Sequence, residues 1–172
     1  PPSAAAGGAS VFHAGRTLPG MEKLHFTTQI NAPAHTVWTT MFDDATYRQW
    51  TSAFNEAGSS FEGSWDLGSE IRFLGPDEDG DPGGMIAEVV ENRPDEVMTL
   101  EYLGEIIKGV EHTGEQDRFV GERESYSFSE SGGITTLAVD LDSEEEFTEM
   151  FTEMWPRALA TLKALAEAPS QS

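Results

Sequence analysis

The run from Ser143 to Ala166, SEEEFTEMFTEMWPRALATLKALA, is the longest strongly amphipathic stretch of the chain. Phe147, Met150, Phe151, Met154, Trp155, Ala158, Leu159, Leu162 and Leu165 recur at the i, i+3, i+4, i+7 spacing of a helix with one wide apolar face. Another layer must cover that face. Ser143 followed by Glu146 has capping-box spacing, and Glu144, Glu145 and Glu146 lie at the positive end of the helix dipole, so a helix start at Ser143 is expected. Pro156 removes one N–H and crowds the Thr152 carbonyl, which predicts a bend and not an end, because the stripe stays in phase to Leu165. At ~1.5 Å per residue the helix spans about 36 Å. Such a stripe is either ordinary core or the roof of an incompletely filled cavity.

The text before it reads mostly as strands. Leu24, Phe26, Thr28 and Ile30 alternate with His25, Thr27 and Gln29, giving a half-buried strand with His25 on its wet face. Pro33 then suits a first helical turn, and Val37, Trp38, Met41 and Phe42 line one side of a short helix ended by Asp43 and Asp44. Asp44 is expected to cap a second short helix, Ala45 to Trp50, with Tyr47 and Trp50 on one side. Three hairpins follow, turning at Asp66-Leu67-Gly68, Arg93-Pro94-Asp95 and Ser131-Gly132-Gly133. Gly75 to Gly84 reads as a polar loop, and Gly104 to Gln116, with Ile106, Ile107 and Val110, as a candidate lid. Short connections imply antiparallel neighbours, hence one curved sheet of seven strands with its apolar face on the terminal helix, an α+β fold. Residues 1–20, rich in Pro, Ala, Gly and Ser, read as a disordered extension. Residues 21–168 form a single domain, and 169–172 a tail.

Charge narrows the partners. Lys and Arg total 10 against 31 Asp and Glu, a formal net charge of −21, so nucleic acid and anionic bilayers are repelled. The acidity suits either a high-salt environment or plain solubility. With no cysteine there is no thiol nucleophile or thiolate metal site. No run reaches the ~18 apolar residues of a membrane helix and none reads as a signal peptide, so no membrane insertion and a cytoplasmic location are expected.

Several pieces in order resemble a known family. Ile30-Asn31-Ala32-Pro33 running into Val37-Trp38, then Asp43-Asp44 and Trp50, then Phe61-Glu62-Gly63-Ser64-Trp65 with Gly68, are similar to the opening of the START/polyketide cyclase-like (SRPBCC) superfamily. Tyr126-Ser127-Phe128, Thr135 to Leu141, and Met154-Trp155-Pro156 leading into Leu159 and Leu162 resemble its end. The nearest branch is that of the heat-shock ATPase activator homologues. The resemblance implies a helix-grip fold, in which the sheet grips the C-terminal helix around an apolar pocket. It implies members that bind lipids or polyketides, act as cyclases, or activate a chaperone. The acidity of this chain and the Gly75 to Gly84 loop depart from that pattern.

Strand alternation and helix phase put Trp38, Phe42, Trp50, Phe54, Phe61, Trp65, Phe73, Tyr102, Tyr126, Phe128, Phe151 and Trp155 on or near the pocket. Buried phenols and indoles need partners, which a ligand's polar end, the backbone or water can supply. For catalysis only Glu101, His112, Arg72 and Tyr126 suggest themselves. Alternation turns Glu101 and Arg72 outward and His112 has no fixed carboxylate, so no catalytic residue is assigned. Asp77, Asp79 and Asp81 with Glu88 have calcium-loop spacing, but Pro82 replaces the turn glycine and the flanks are strands, so a solvated acidic turn is expected. No metal or other cofactor is called for. The leading expectation is a binder of a small apolar, lipid- or polyketide-like molecule. A pocket enzyme of cyclase, hydrolase or dehydratase type, and an interaction module with a protein partner, are the alternatives.

Overall fold

A computed structural model describes residues 21–169, so the expectations for 1–20 and for the end of the chain lie outside the described residues. The elements run β1 (Met21–Ile30), α1 (Ala34–Phe42), α2 (Asp44–Trp50) with a 3-10 turn (Thr51–Ala53), β2 (Ser60–Gly63), β3 (Glu70–Pro76), β4 (Pro82–Arg93), β5 (Val97–Ile107), β6 (Val110–His112), β7 (Arg123–Ser131), β8 (Ile134–Glu144) and α3 (Glu145–Glu167). All strand pairs are antiparallel, in the order β1-β8-β7-β5-β4-β3-β2, with β6 paired to β5. None of the described helices is long and apolar enough to cross a membrane.

The sheet has eight strands, one more than expected, and the difference lies in the segment read as a lid. β5 continues to Ile107, Lys108 and Gly109 turn with φ of 49° and 78°, and β6 returns along Glu105 to Ile107. The apolar excess there is strand, with Ile106 buried and Ile107 and Val110 left exposed. The Gly75 to Gly84 loop is likewise shorter than expected, because β3 and β4 stay paired to Pro76 and Pro82.

Curvature has a local cause. Register shifts between Ile86 and Ala87 and between Val89 and Glu91 mark bulges in the long β4–β5 ladder, and bulges bend and twist a sheet. The concave face faces α3. Inward positions alternate along β8 (Leu137, Val139, Leu141) and β7 (Tyr126, Phe128), as the period of two requires. His25 sits on the opposite face, as expected, its ring 2.6 Å from Asp140.

α3 begins one residue later than the capping box predicts, with Glu144 and not Ser143 at its N-cap. Ser143 is the penultimate residue of β8, paired with Glu22, and its hydroxyl donates to the Glu144 carbonyl and not to the helix. Sheet pairing therefore overrides the local capping signal, and Glu144 stands at the N-cap without a side-chain cap bond. The helix runs on through Pro156, burying Phe151, Trp155, Ala158, Leu159, Leu162 and Ala166. Its far end is pinned to the β1–α1 corner, where Lys163 Nζ donates to the Gln29 carbonyl and the Asn31 amide donates to the Glu167 carboxylate.

The two short helices close one end. Asp43, not Asp44, caps α2, its carboxylate accepting the Ala45 amide at 3.2 Å. Trp50 Nε1 donates to the Met41 carbonyl at 2.9 Å and locks α2 onto α1.

Candidate functional site

All the aromatic residues singled out from the sequence share the single core cluster between sheet and helices. Trp38, Phe61 and Trp65 are its partly buried members and the others are buried. Apart from Tyr102 and Phe151, their rings form a continuous contact network. Phe42 meets Trp38, Trp65, Tyr126 and Phe128 at centroid distances of 4.9, 4.7, 5.9 and 6.3 Å. Trp155 meets Trp50, Phe54 and Tyr126 at 6.1, 5.1 and 6.3 Å. Trp65 continues to Phe61 and Phe73 at 5.2 and 5.7 Å.

Two residues outside that set give the region its polarity. Glu124 on β7 is 1% exposed, and its Oε2 accepts hydrogen bonds from the hydroxyls of Tyr126 and Tyr102. Its position follows from strand period, since residues 124, 126 and 128 share a face. Tyr102 comes from the neighbouring strand, where its amide donates to the Glu122 carbonyl at 2.8 Å. Tyr47, on α2, stacks on Phe73 and contacts Trp65, and its hydroxyl interacts electrostatically with Glu124 and Tyr126. Burial pushes the Glu124 carboxyl above the usual carboxylate range. Burial, reinforced by Glu124, pushes the Tyr47 and Tyr126 phenols well above theirs, so all three groups are biased to their neutral, protonated forms.

Not every buried donor is served. Trp50 Nε1 has its backbone acceptor, whereas Tyr47 Oη, Trp65 Nε1 and Trp155 Nε1 are buried with no hydrogen-bond partner among the described residues. A buried polar group of this kind costs about 1–3 kcal/mol when left unsatisfied.

The residues weighed for catalysis face elsewhere. Glu101 pairs with Arg123 at 2.7 Å and Arg72 with Glu111 at 2.9 Å, both on the solvated side, as alternation implies. His112 ends β6. Asp77, Asp79 and Asp81 bring carboxylate oxygens within 4.8 Å of one another, but the Lys108 ammonium lies among them at 3.6, 3.1 and 3.0 Å. The turn therefore carries its own cation. A concavity of about 260 Å³ on the outer face, lined by Lys23, His25, Arg123, Asp140 and Asp142 among others, has its Lys23, His25 and Arg123 side chains already paired with Asp142, Asp140 and Glu101.

Beside the buried carboxyl lies a second acid. Glu122 is half-buried, and burial together with the nearby charges of Glu144 and Asp142 pushes its carboxyl up to about 8, against partial relief from Arg118. In the folded chain it holds a proton that the unfolded chain, with an ordinary value near 4.5, has lost. Stability must fall as pH rises from about 4.5 to about 8, by on the order of 2 kcal/mol after discounting for solvent screening. Urea unfolding of wild type and Glu122→Gln at pH 5.5 and 8.5 checks this. The variant should lose much less stability across the interval, and parallel losses would remove the assignment.

With the geometry in place, known proteins can be compared. The sequence matches no family model and no curated protein. Solved structures do match. A protein from Arthrobacter aurescens superposes with a TM-score of 0.66 at 14% identity over 87% of this chain and 88% of its own. The Aha1 dimer from Colwellia psychrerythraea gives 0.61 at 14% identity, over 87% and 99%. DynU16, from the dynemicin biosynthetic locus, gives 0.60 at 17% identity, over 85% of this chain and 47% of its own. The fold is helix-grip. At these identities the likeness is one of architecture, consistent with SRPBCC-like proteins, and helix-grip folds host unrelated functions.

Proposed function

We propose that this helix-grip chain is an SRPBCC protein of the heat-shock ATPase activator homologue-like branch that binds a small, largely apolar molecule against the aromatic cluster beneath α3. The observation that carries the reading is the set of buried donors, Tyr47 Oη, Trp65 Nε1 and Trp155 Nε1, set among apolar rings without protein acceptors among the described residues. Ligand sites combine apolar surroundings with a few polar groups, and the cluster supplies both kinds of group. Binding would be driven by burial of apolar ligand surface at about 25 cal/mol per Å², less the cost of immobilising the ligand.

Uptake of a hydrophobic fluorescent probe tests it. Trp65→Ala and Tyr126→Ala should each weaken binding about tenfold or more, by removing ring area from the cluster. Binding unchanged in both variants would sink the reading. A second reading, a pocket enzyme of cyclase, hydrolase or dehydratase type, gains from Glu124, because a buried carboxyl joined to two phenols is a candidate proton donor. Turnover of an added substrate that stops in Glu124→Gln while binding persists would establish it. An interaction module remains the third reading, on the likeness to the Aha1 dimer.

A further inference from the structure

Between β6 and β7 the chain forms a strap, residues 113–122, that lies against the first turns of α3. Two neighbouring residues hold it there. The Arg118 guanidinium pairs with Glu105 of β5 at 3.2 Å and with Glu146 of α3 at 3.8 Å. It also lies over the Phe119 and Phe147 rings, 4.8 and 5.4 Å from their centroids. Phe119 packs on Phe147 at 5.7 Å, and Phe147 continues to Phe151 at 6.2 Å. This contact works against the backbone, because Phe119 has φ of 72°, in the left-handed region that a bulky side chain rarely adopts. The closed strap therefore carries local strain that the Arg118 and Phe119 contacts must hold. At its other end the strap joins the sheet, where the Tyr102 amide donates to the Glu122 carbonyl and the Gly121 amide to the Tyr102 carbonyl, both at 2.8 Å.

Opposing that grip is a group of like charges. Glu122 is half-buried, and acids face it from two strands, Glu144 and Asp142 from β8 and Glu124 from β7. Asp142 is shared with Lys23 of β1. Arg118, from the strap itself, offsets them in part, but it is already divided between Glu105 and Glu146. While Glu122 keeps its proton, the strap adds no further charge to this group. Once it ionises, a carboxylate stands beside Glu144 and Asp142 with little water to screen it, and opening carries it into solvent. Burial first, and then Glu144 and Asp142, hold the carboxyl up to about 8, against 4.5 when free. The closed form thus binds the proton more tightly than the open one, so closure is strongest below about pH 4.5 and weakens as pH rises to about 8.

We propose that residues 113–122 are a pH-released clasp: with Glu122 neutral the Arg118 and Phe119 contacts keep the strap on α3, and with Glu122 ionised it swings away and uncovers Phe147 and the backbone of Tyr102. The clasp needs no ligand, so it stands apart from the binding function put forward above.

Limited digestion with trypsin reads the strap directly, because Arg118 can enter the protease only as part of an opened segment. Rates of cleavage after Arg118, followed by mass spectrometry, are divided at each pH by those of a peptide of residues 113–123, which removes the protease's own pH dependence. In wild type this ratio should rise about tenfold between pH 6.5 and pH 9, with α3 still uncut at Arg157 and Lys163. In Glu122→Gln, whose side chain copies the neutral acid, it should change less than about twofold. Glu105→Gln weakens the hold on Arg118 from a separate strand, and should raise the ratio about threefold or more at both pH values while keeping the slope. A wild-type ratio flat with pH overturns the clasp, as does a rise undiminished in Glu122→Gln or a ratio unmoved by Glu105→Gln. Simultaneous cutting at Arg157 and Lys163 marks opening of the whole domain and overturns it too.

Discussion

Trp155→Ala is expected to cost about 3–5 kcal/mol of unfolding free energy, the range for truncating a large aromatic in a packed core. Its side chain is fully buried at the middle of α3, within ring-contact distance of Phe26, Trp50, Phe54 and Tyr126, which belong to β1, α2, the segment after it and β7. Those walls belong to the sheet on one side and to α2 and its following turn on the other, and cannot all close on the space left behind. Since a domain of this kind has about 5–15 kcal/mol in total, the loss takes a large share of it. Urea denaturation gives the figure directly. Trp155→Phe keeps a ring in place and removes the unpartnered Nε1, so it should cost less than about 1.5 kcal/mol. A loss below about 1 kcal/mol in the alanine variant would mean that α3 is not gripped as described.

Gly84→Ala is the second large effect, through the backbone and not a side chain. Gly84 has φ of +155°, and a Cβ built there would lie 1.8 Å from the Phe73 carbonyl oxygen and 3.2 Å from the Leu74 Cα. Neither can yield, because Phe73 and Leu74 are paired to Met85 and Gly84 in the β3–β4 ladder. Relief would require parting the strands that carry Phe73 to the site, so a loss of about 3 kcal/mol is expected. Gly80→Ala is the contrast. Gly80 has φ of +83° in the turn between the same strands, with nothing within 4 Å of its Cβ, so it should lose only about 1 kcal/mol. Unfolding curves of the two variants side by side decide the matter; similar losses would show that conformation alone, and not the close approach, sets the cost.

Much of the architecture was legible because it repeats along the chain. The period-two runs of β1, β7 and β8 and the 3.6-period run of α3 state which residues face inward, and the aromatic set follows from those phases. What escaped was tertiary. Ser143 has every local mark of a cap, but residue 143 is claimed by β1, a strand more than a hundred positions earlier. β6 is too short to show a period. Lys108 reaches three aspartates some thirty positions away, so their turn, exposed as expected, is also neutralised in part by the chain itself, which local spacing does not show. Glu124 had a readable signal, in phase with Tyr126 and Phe128, but nothing local marks a carboxylate on that phase as buried. Tyr47 sits beside Trp50 on the expected helix face; its electrostatic interaction with Glu124 depends on tertiary packing that helix phase does not state.

The pairing of β1 with β8 also bears on how the chain reaches this state. These partners, Met21 with Glu144 through to Ile30 with Thr135, join the two ends of the domain, and α3 follows directly on the second of them. A nascent polypeptide leaving the ribosome can form the hairpins from β2 to β7 early, whereas its first strand has no neighbour until β8 has been made. Closing so long a loop is entropically costly, so this seam should form late and limit the refolding rate. Until it does, the greasy side of the first strand stays open to other molecules, and a large negative charge that keeps incomplete copies apart would serve the chain at that stage as well as at the end.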